Sequence, residues 1–237
     1  MERRVYNLPP MRLVLFDIDG TILTDNGASR GAFGEALRAV HGYDGDLTRY
    51  DFSGRTDPQI ARMVLDDAGV TREAIDEAMP RLWEHYLAGL GRNTTPGRVR
   101  VLPGIRALIE TLAARDDVAL ALLTGNIERG ARLKLADTGL NDSFPFGAFG
   151  SDSADRNKLP PIAMQRASAH AGLDVTGSDV VIIGDSIYDV RCGVPHGATT
   201  IAVASGKTPA EKLRAENPTH FFDSAEDLEA IVNAILA

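Results

Sequence analysis

A single cysteine, Cys192, in 237 residues leaves no partner for an internal disulfide. That usage fits a reducing compartment. No apolar run approaches the ~20 residues needed to span a bilayer, and the charged start Met1-Glu2-Arg3-Arg4 is not followed by the apolar stretch of a secretory signal. The expectation is a soluble, cytoplasmic protein whose first ten residues, ending in Pro9-Pro10, form a loose lead-in. Positive charge is also short: 25 Lys and Arg stand against 33 Asp and Glu, for a net charge of -8. This argues against nonspecific binding to nucleic acid or an anionic membrane, while leaving room for a local basic pocket.

Several motifs are missing. The five histidines, His41, His85, His170, His196 and His220, fit no metal-ligand spacing. No G-x-G-x-x-G follows a strand, so a dinucleotide site has no support. Ser205-Gly206-Lys207-Thr208 resembles half of a nucleotide P-loop, but the Gly required five residues before Gly206 is Ile201. Lys207 and Thr208 then read as a loop opening the next helix. There is no internal repeat and no low-complexity tract.

What is present is ordinary globular composition, 44% hydrophobic and 24% charged, enough for one large domain or a core with a smaller companion. Leu13 to Phe16 reads as a short buried strand. Residues 29–90 read as helices with no strand. Phe33, Ala36, Leu37 and Val40 lie at helical spacing, as do Ile60, Met63 and Val64. A longer apolar stripe runs from Ile75 to Leu90, interrupted by Pro80, as two helices or one kinked helix. Gly91 to Gly104 reads as a linker.

Beyond the linker, strands and helices alternate. Strands are expected at Val118–Leu123, Phe146–Phe149, Val180–Ile183 and Thr200–Val203, with His220–Phe222 as an edge strand. Helices are expected at Ile127–Leu135, Pro160–Ala171, Pro209–Ala215 and Ala225–Leu236. The alternation predicts an α/β fold: a doubly wound, Rossmann-like parallel sheet. The helical block is inserted after its first strand. The expected division is a core of residues 1–24 and 96–237 with a helical cap of residues 25–95.

Four polar clusters follow strands or open helices of this core: Asp17 and Asp19; Thr124-Gly125-Asn126; Lys158, with Arg156 close by; and Gly184-Asp185-Ser186-Ile187-Tyr188-Asp189. In a parallel sheet all strand ends point one way, so the clusters converge on one crevice. Crowded carboxylates repel unless a cation sits among them. Oxygen donors without His or Cys favour Mg²⁺ over Zn²⁺. A Thr hydroxyl, backbone N–H groups around Gly125 and a Lys ammonium form an anion-binding set. Together these fit phosphoryl transfer.

Asp17-x-Asp19-Gly20-Thr21, Thr124, Lys158 and Gly184-Asp185-x-x-x-Asp189 resemble, in order and approximate spacing, the motifs of the haloacid dehalogenase-like superfamily. The resemblance runs from Leu13 to Val203. The insert lies where that superfamily carries an α-helical cap, and Phe52-Ser53-Gly54-Arg55-Thr56-Asp57 is similar to the cap segment of phosphoglycolate phosphatase-like members. The resemblance implies that Asp17 is the nucleophile, forming an aspartyl-phosphate, and that Asp19 is the general acid and base. It implies that Thr124 and Lys158 hold the phosphoryl oxygens, that Gly125 and Asn126 bind substrate, and that Asp17, the Asp19 backbone carbonyl and Asp185 ligate Mg²⁺. Asp189 supports the metal's water shell or orients the lysine. Dehalogenases of the superfamily lack an Asp at the position of Asp19, which points to phosphate esters. The family's Lys-Pro is here Lys158-Leu159-Pro160-Pro161, and Arg156 is a rival for the role of Lys158.

Each feature also has a structural alternative. Asp-x-Asp-Gly alone is often a turn, Thr124-Gly125-Asn126 alone a helix cap, and Lys158 alone a solvated lysine. Thr56 or Asp57 reads as the cap of a helix opening at Pro58, with Arg55 a candidate for contacting an anionic substrate. Cys192 reads as packed. The expected activity is hydrolysis of a small phosphorylated metabolite of phosphoglycolate type. A β-phosphoglucomutase-like mutase and a pyrophosphatase are the alternatives within the superfamily. A regulatory module that kept the fold is the non-enzymatic one.

Overall fold

The computed structural model describes residues 11–94, 97–172 and 174–237. In chain order the elements are β1 (Arg12–Phe16), β2 (Leu23–Thr24), α1 (Ala28–His41), α2 (Asp57–Asp67), α3 (Arg72–Asn93), β3 (Arg100–Val101), α4 (Ile105–Ala113), β4 (Val118–Thr124), α5 (Glu128–Ala136), β5 (Gly147–Phe149), α6 (Leu159–Ala171), β6 (Val180–Gly184), α7 (Ile187–Gly193), β7 (Thr199–Val203), α8 (Ala210–Ala215), β8 (His220–Phe222) and α9 (Leu228–Leu236). The loose lead-in expected at residues 1–10 lies outside the described residues.

β1 reads as unbroken apolar sequence because both of its faces are covered, as in all-parallel sheets. Val14 and Phe16 pack into a cluster with Ile105, Leu108 and Leu112 of α4 and Ile231 and Ile235 of α9. Leu13 and Leu15 face the other way, against Leu159, Ala163 and Ala167 of α6. The six-stranded sheet has the order β5-β4-β1-β6-β7-β8, and every pairing in it is parallel. The chain therefore winds outward from β1 in both directions. Phe16 is level with Leu122 of β4 and Ile183 of β6, so the residues just past these three strands open onto one crevice.

Helices α1, α2 and α3 build a separate apolar cluster around Phe33, Leu37, Val64, Ile75, Tyr86 and Leu90, joined from the sheet side by Ile127. α3 is one continuous helix with Pro80 inside it. It forgoes one backbone bond there, and flanking burial of Ile75, Leu82 and Tyr86 carries the helix through.

Three expectations need correction. Leu23–Thr24 pairs antiparallel with Arg100–Val101 at the two ends of the helical insert, so part of the Gly91–Gly104 stretch is strand rather than linker. α3 also reaches Asn93. A helix at Ile105–Ala113, not anticipated from the sequence, buries Ile105, Leu108, Ile109 and Leu112 on one face.

Candidate active site

Asp17 follows β1 directly, and its N–H donates to the Ile183 carbonyl at 3.0 Å. Its carboxylate is buried. Asp185, one residue past β6, and Asp189, in α7, are buried beside it; one oxygen from each of the three lies within 4.8 Å of the others. Ser186 caps α7, and Asp189 returns the bond by accepting from the Ser186 N–H at 2.9 Å. This reciprocal cap fixes both residues of the fourth cluster. Thr21 donates to Asp185 at 3.1 Å. Gly20, at φ 87°, and Gly206 lie so close to Asp185 that a Cβ on either would overlap its carboxylate.

Arg156 is the cation of this group. It is 5% exposed, and its Nη2 donates to Asp17 at 3.1 Å, to the Leu123 carbonyl at 3.2 Å and to Asp189. Lys158 is exposed and lies outside the crevice. The placement expected for Lys158 therefore belongs to Arg156. A 3-10 turn over Arg156–Lys158, capped by Asp155 accepting from Asn157 N–H at 3.0 Å, turns the two side chains apart.

Three buried carboxylates share one guanidinium, and the electrostatics reflect that imbalance. Burial raises the Asp17 pKa, Arg156 pulls it back, and Asp189 and Asp19 raise it again, leaving it at about 7. Burial, then Asp17 and Asp189, hold Asp185 well above the usual carboxylate range despite the Thr21 bond. Such a cluster of oxygen donors fits a divalent cation, which would restore the ionised forms.

Asp19 belongs to a different network. Its carboxylate turns toward Lys134 of α5, whose Nζ donates to both oxygens at 2.9 and 2.7 Å, and toward Asn126, whose Nδ2 donates at 2.7 Å. Asn126 also donates to the Thr124 hydroxyl at 2.8 Å and accepts from Lys134 at 2.6 Å. The Asp19 side chain thus stands apart from the carboxylate trio, although its residue lines the same crevice. Lys134 was missed from sequence. It sits between Ala131 and Leu135 on the buried face of its helix, and a lysine at an apolar-face position was the available signal.

Residues 54–57 of the insert clasp the sheet side. Thr56 caps α2, as expected, accepting from Gln59 N–H at 3.2 Å, and its hydroxyl donates to Ala154 O at 2.8 Å. Asp57 caps the neighbouring helix instead: Oδ2 accepts from the Ile127 N–H at 2.9 Å, at the start of α5. The Asp57 N–H donates to Gly125 O at 2.7 Å, and Arg156 donates to Gly54 O at 3.1 Å. Gly125 has no space for a Cβ beside the Arg55 carbonyl. Arg55 lies at the crevice, its Nε donating to Asp51 O at 3.0 Å and its guanidinium 5.2 Å from the Tyr188 ring centroid.

The crevice encloses about 610 Å³ and is lined by residues from both sides, including Asp17, Asp19, Thr124, Asn126 and Arg55. Ser205, Gly206 and Lys207 also line it, and Ser205 donates to Gly20 O at 2.7 Å. The loop expected merely to open a helix is therefore part of the wall. Cys192 is buried, as expected. No helix among the described residues is long and apolar enough to cross a membrane.

Residues 14–193 match the family model for haloacid dehalogenase-like hydrolases. Two curated relatives fall in different classes by name. An imidazoleglycerol-phosphate dehydratase of Phytophthora nicotianae is 24% identical over 229 residues, or 94% of this chain, which spans half of that longer protein. A phosphoglycolate phosphatase of Vibrio vulnificus (strain YJ016) is 25% identical over 228 residues, covering 94% of this chain and 96% of the relative. A crystal structure of a hydrolase from Pseudomonas syringae shares the fold with a TM-score of 0.74 at 20% identity, over 96% of this chain and all of that one. The chain belongs to the haloacid dehalogenase-like hydrolases. Other relatives named phosphoglycolate phosphatase are 26 and 28% identical to it.

Proposed function

We propose that the protein is a Mg²⁺-dependent phosphatase that hydrolyses a small phosphomonoester of phosphoglycolate type through an aspartyl-phosphate. The observation that carries this reading is the buried Asp17 carboxylate at the mouth of the central strand, grouped with Asp185 and Asp189 and faced by Arg156. Asp17, Asp185 and the Asp19 backbone carbonyl would hold Mg²⁺, with Asp189 close behind. The metal supplies charge neutralisation for the transferring phosphoryl group.

Asp17 attacks phosphorus, the bond to the ester oxygen breaks, and Asp19 gives that oxygen its proton. Asp19 then takes a proton from water, whose oxygen attacks phosphorus and breaks the bond to Asp17. Phosphate leaves, and Asp17 returns as a carboxylate. The Thr124 hydroxyl, the Gly125 and Asn126 region and Arg156 orient the phosphoryl oxygens, with Arg156 taking the part expected of Lys158.

Residues 25–95 act as a cap over the core of residues 1–24 and 96–237. The bonds from Gly54, Thr56 and Asp57 to Arg156, Ala154, Gly125 and Ile127 support this. Such a lid keeps bulk water from the phosphoryl group. Arg55 faces the far end of a small anionic substrate.

The test is phosphate release from a panel of small phosphate esters and pyrophosphate, with Mg²⁺ and with chelator. Selective, Mg²⁺-dependent release from phosphoglycolate is the expected result. Absence of release from every compound overturns the phosphatase reading, and a requirement for a sugar bisphosphate identifies a mutase.

A further inference from the structure

Asp19 combines an open position with an unusually fixed carboxylate. Its side chain is 42% exposed, yet both oxygens are held by Lys134, whose side chain is only 2% exposed. Exposed ion pairs ordinarily contribute little, because two mobile side chains must be ordered in water. Here one partner is already immobilised. Lys134 projects from the buried face of α5, and its Nζ is further fixed by Asn126 Oδ1 at 2.6 Å. Asn126 in turn donates to Asp19 at 2.7 Å, which closes a three-residue ring. The mechanism above gives Lys134 no contact with the reacting atoms.

The titratable groups around Lys134 come from each neighbouring element. Asp19 lies in the loop after β1, Asp25 ahead of α1, Asp57 at the start of α2 and the uncharged Tyr86 phenol on α3. Burial disfavours the ammonium, but the carboxylates, Asp19 first, outweigh it and keep Lys134 charged. A lysine that packs among Ala131 and Leu135 without contributing to the apolar core needs another reason for its place.

We propose that Lys134 is the positioning residue for Asp19: it holds the acid/base carboxylate in the orientation from which it serves the leaving oxygen. The proposal rests on the phosphatase reading, in which Asp19 gives the ester oxygen its proton. A group that aligns a proton donor matters most when the departing oxygen is a strong base. An alkoxide cannot leave without that proton, whereas p-nitrophenolate leaves readily without it. Loss of Lys134 therefore separates the two substrate types, which a merely structural lysine does not.

The experiment compares wild type with Lys134→Met and Lys134→Arg on an alkyl phosphate and on p-nitrophenyl phosphate, with thermal melts to establish folding. For Lys134→Met the expected kcat/KM, which reports the steps through departure of the alcohol and not the later attack of water that both esters share, falls by about 30-fold or more on the alkyl ester but by less than about threefold on the aryl ester. Lys134→Arg, which keeps the charge, recovers part of the alkyl-ester rate. Equal losses on the two esters overturn the proposal and leave the phosphatase reading intact. Wild-type inactivity on both esters overturns the phosphatase reading instead. The crystal structure of Lys134→Met then decides the positioning claim: an Asp19 carboxylate turned from its wild-type orientation supports it, and an unmoved one overturns it. Should the Met variant fail to fold, Lys134→Gln carries the same comparisons.

Discussion

Asp57 offers a stability experiment whose sign and size follow from its surroundings. Its carboxylate is buried at the clasp between the helical insert and α5. Burial raises its pKa; Lys134 and the Ile127 N–H lower it, Asp19 raises it, and the outcome is about 6 against an ordinary 3.8. Between those values the folded state binds more protons than the unfolded one, so stability falls as pH rises through this window. The penalty is absent below the ordinary pKa and complete above about pH 6. At about 1.4 kcal/mol per unit, the two-unit shift amounts to roughly 3 kcal/mol. Asp57→Asn resembles the protonated acid, and its amide oxygen can still accept from the Ile127 N–H. The variant is therefore expected to gain up to roughly 3 kcal/mol over wild type at neutral pH, a Tm rise on the order of 6 to 12 °C. Denaturant unfolding of both proteins from about pH 4 to pH 8 measures this, and taking the difference between them removes the titration of all other groups. A stability difference that does not change with pH refutes the reasoning.

Other outcomes follow from the same geometry. Asp17→Asn is expected to abolish phosphate release while leaving the fold intact by circular dichroism, since it removes the attacking oxygen's charge. Lys158→Ala is expected to keep kcat within about twofold, as an exposed side chain outside the crevice, whereas Arg156→Ala loses about a hundredfold or more; reversal of that order in steady-state assays returns the role to Lys158. Gly206→Ala forces a methyl group onto the Asp185 carboxylate, so the Mg²⁺ concentration for half-maximal rate should rise about tenfold or more. Chelator treatment should silence the wild type, and added Mg²⁺ should restore it.

The positions legible in the sequence share a physical trait. Asp17, Thr124 and Asp185 each stand at the end of a continuous apolar run, and a strand buried on both faces announces itself in that way. Their convergence follows from the parallel sheet. What stayed hidden depended on side-chain direction rather than on strand position. Arg156 and Lys158 are two residues apart in a capped 3-10 turn, and periodicity gives no means of choosing between them. The partnership of Lys134 with Asp19 spans the space between α5 and the β1 loop, so no local motif records it. Asp57 was legible as a helix cap, but the helix it caps is α5 and not its own. The α4 helix was hidden by its shortness, and the two-residue strands β2 and β3 are too short to show alternation.

The site divides its charges into two groups, each with its own buried cation. Asp17, Asp185 and Asp189 share Arg156, while Asp19 and its neighbours Asp25 and Asp57 face Lys134. The first group is short of positive charge: burial first, and then the neighbouring carboxylates, raise Asp17 and Asp185. It is therefore built to accept a cation. The second group is held together by direct bonds from Lys134 and Asn126 to Asp19, which already satisfy that carboxylate. The Asp19 side chain is thus oriented by protein groups alone, even where its backbone carbonyl would hold the metal. This separation suits a reaction in which one carboxylate must attack as an anion and the other must exchange a proton. If both shared one cation, any change that ionised the nucleophile would act equally on the acid. With separate partners, metal binding acts on Asp17 and Asp185 first, and Asp19 keeps its place. Removing Mg²⁺ should accordingly leave the Lys134–Asp19 pair intact, a result that crystal structures with and without the ion would show directly.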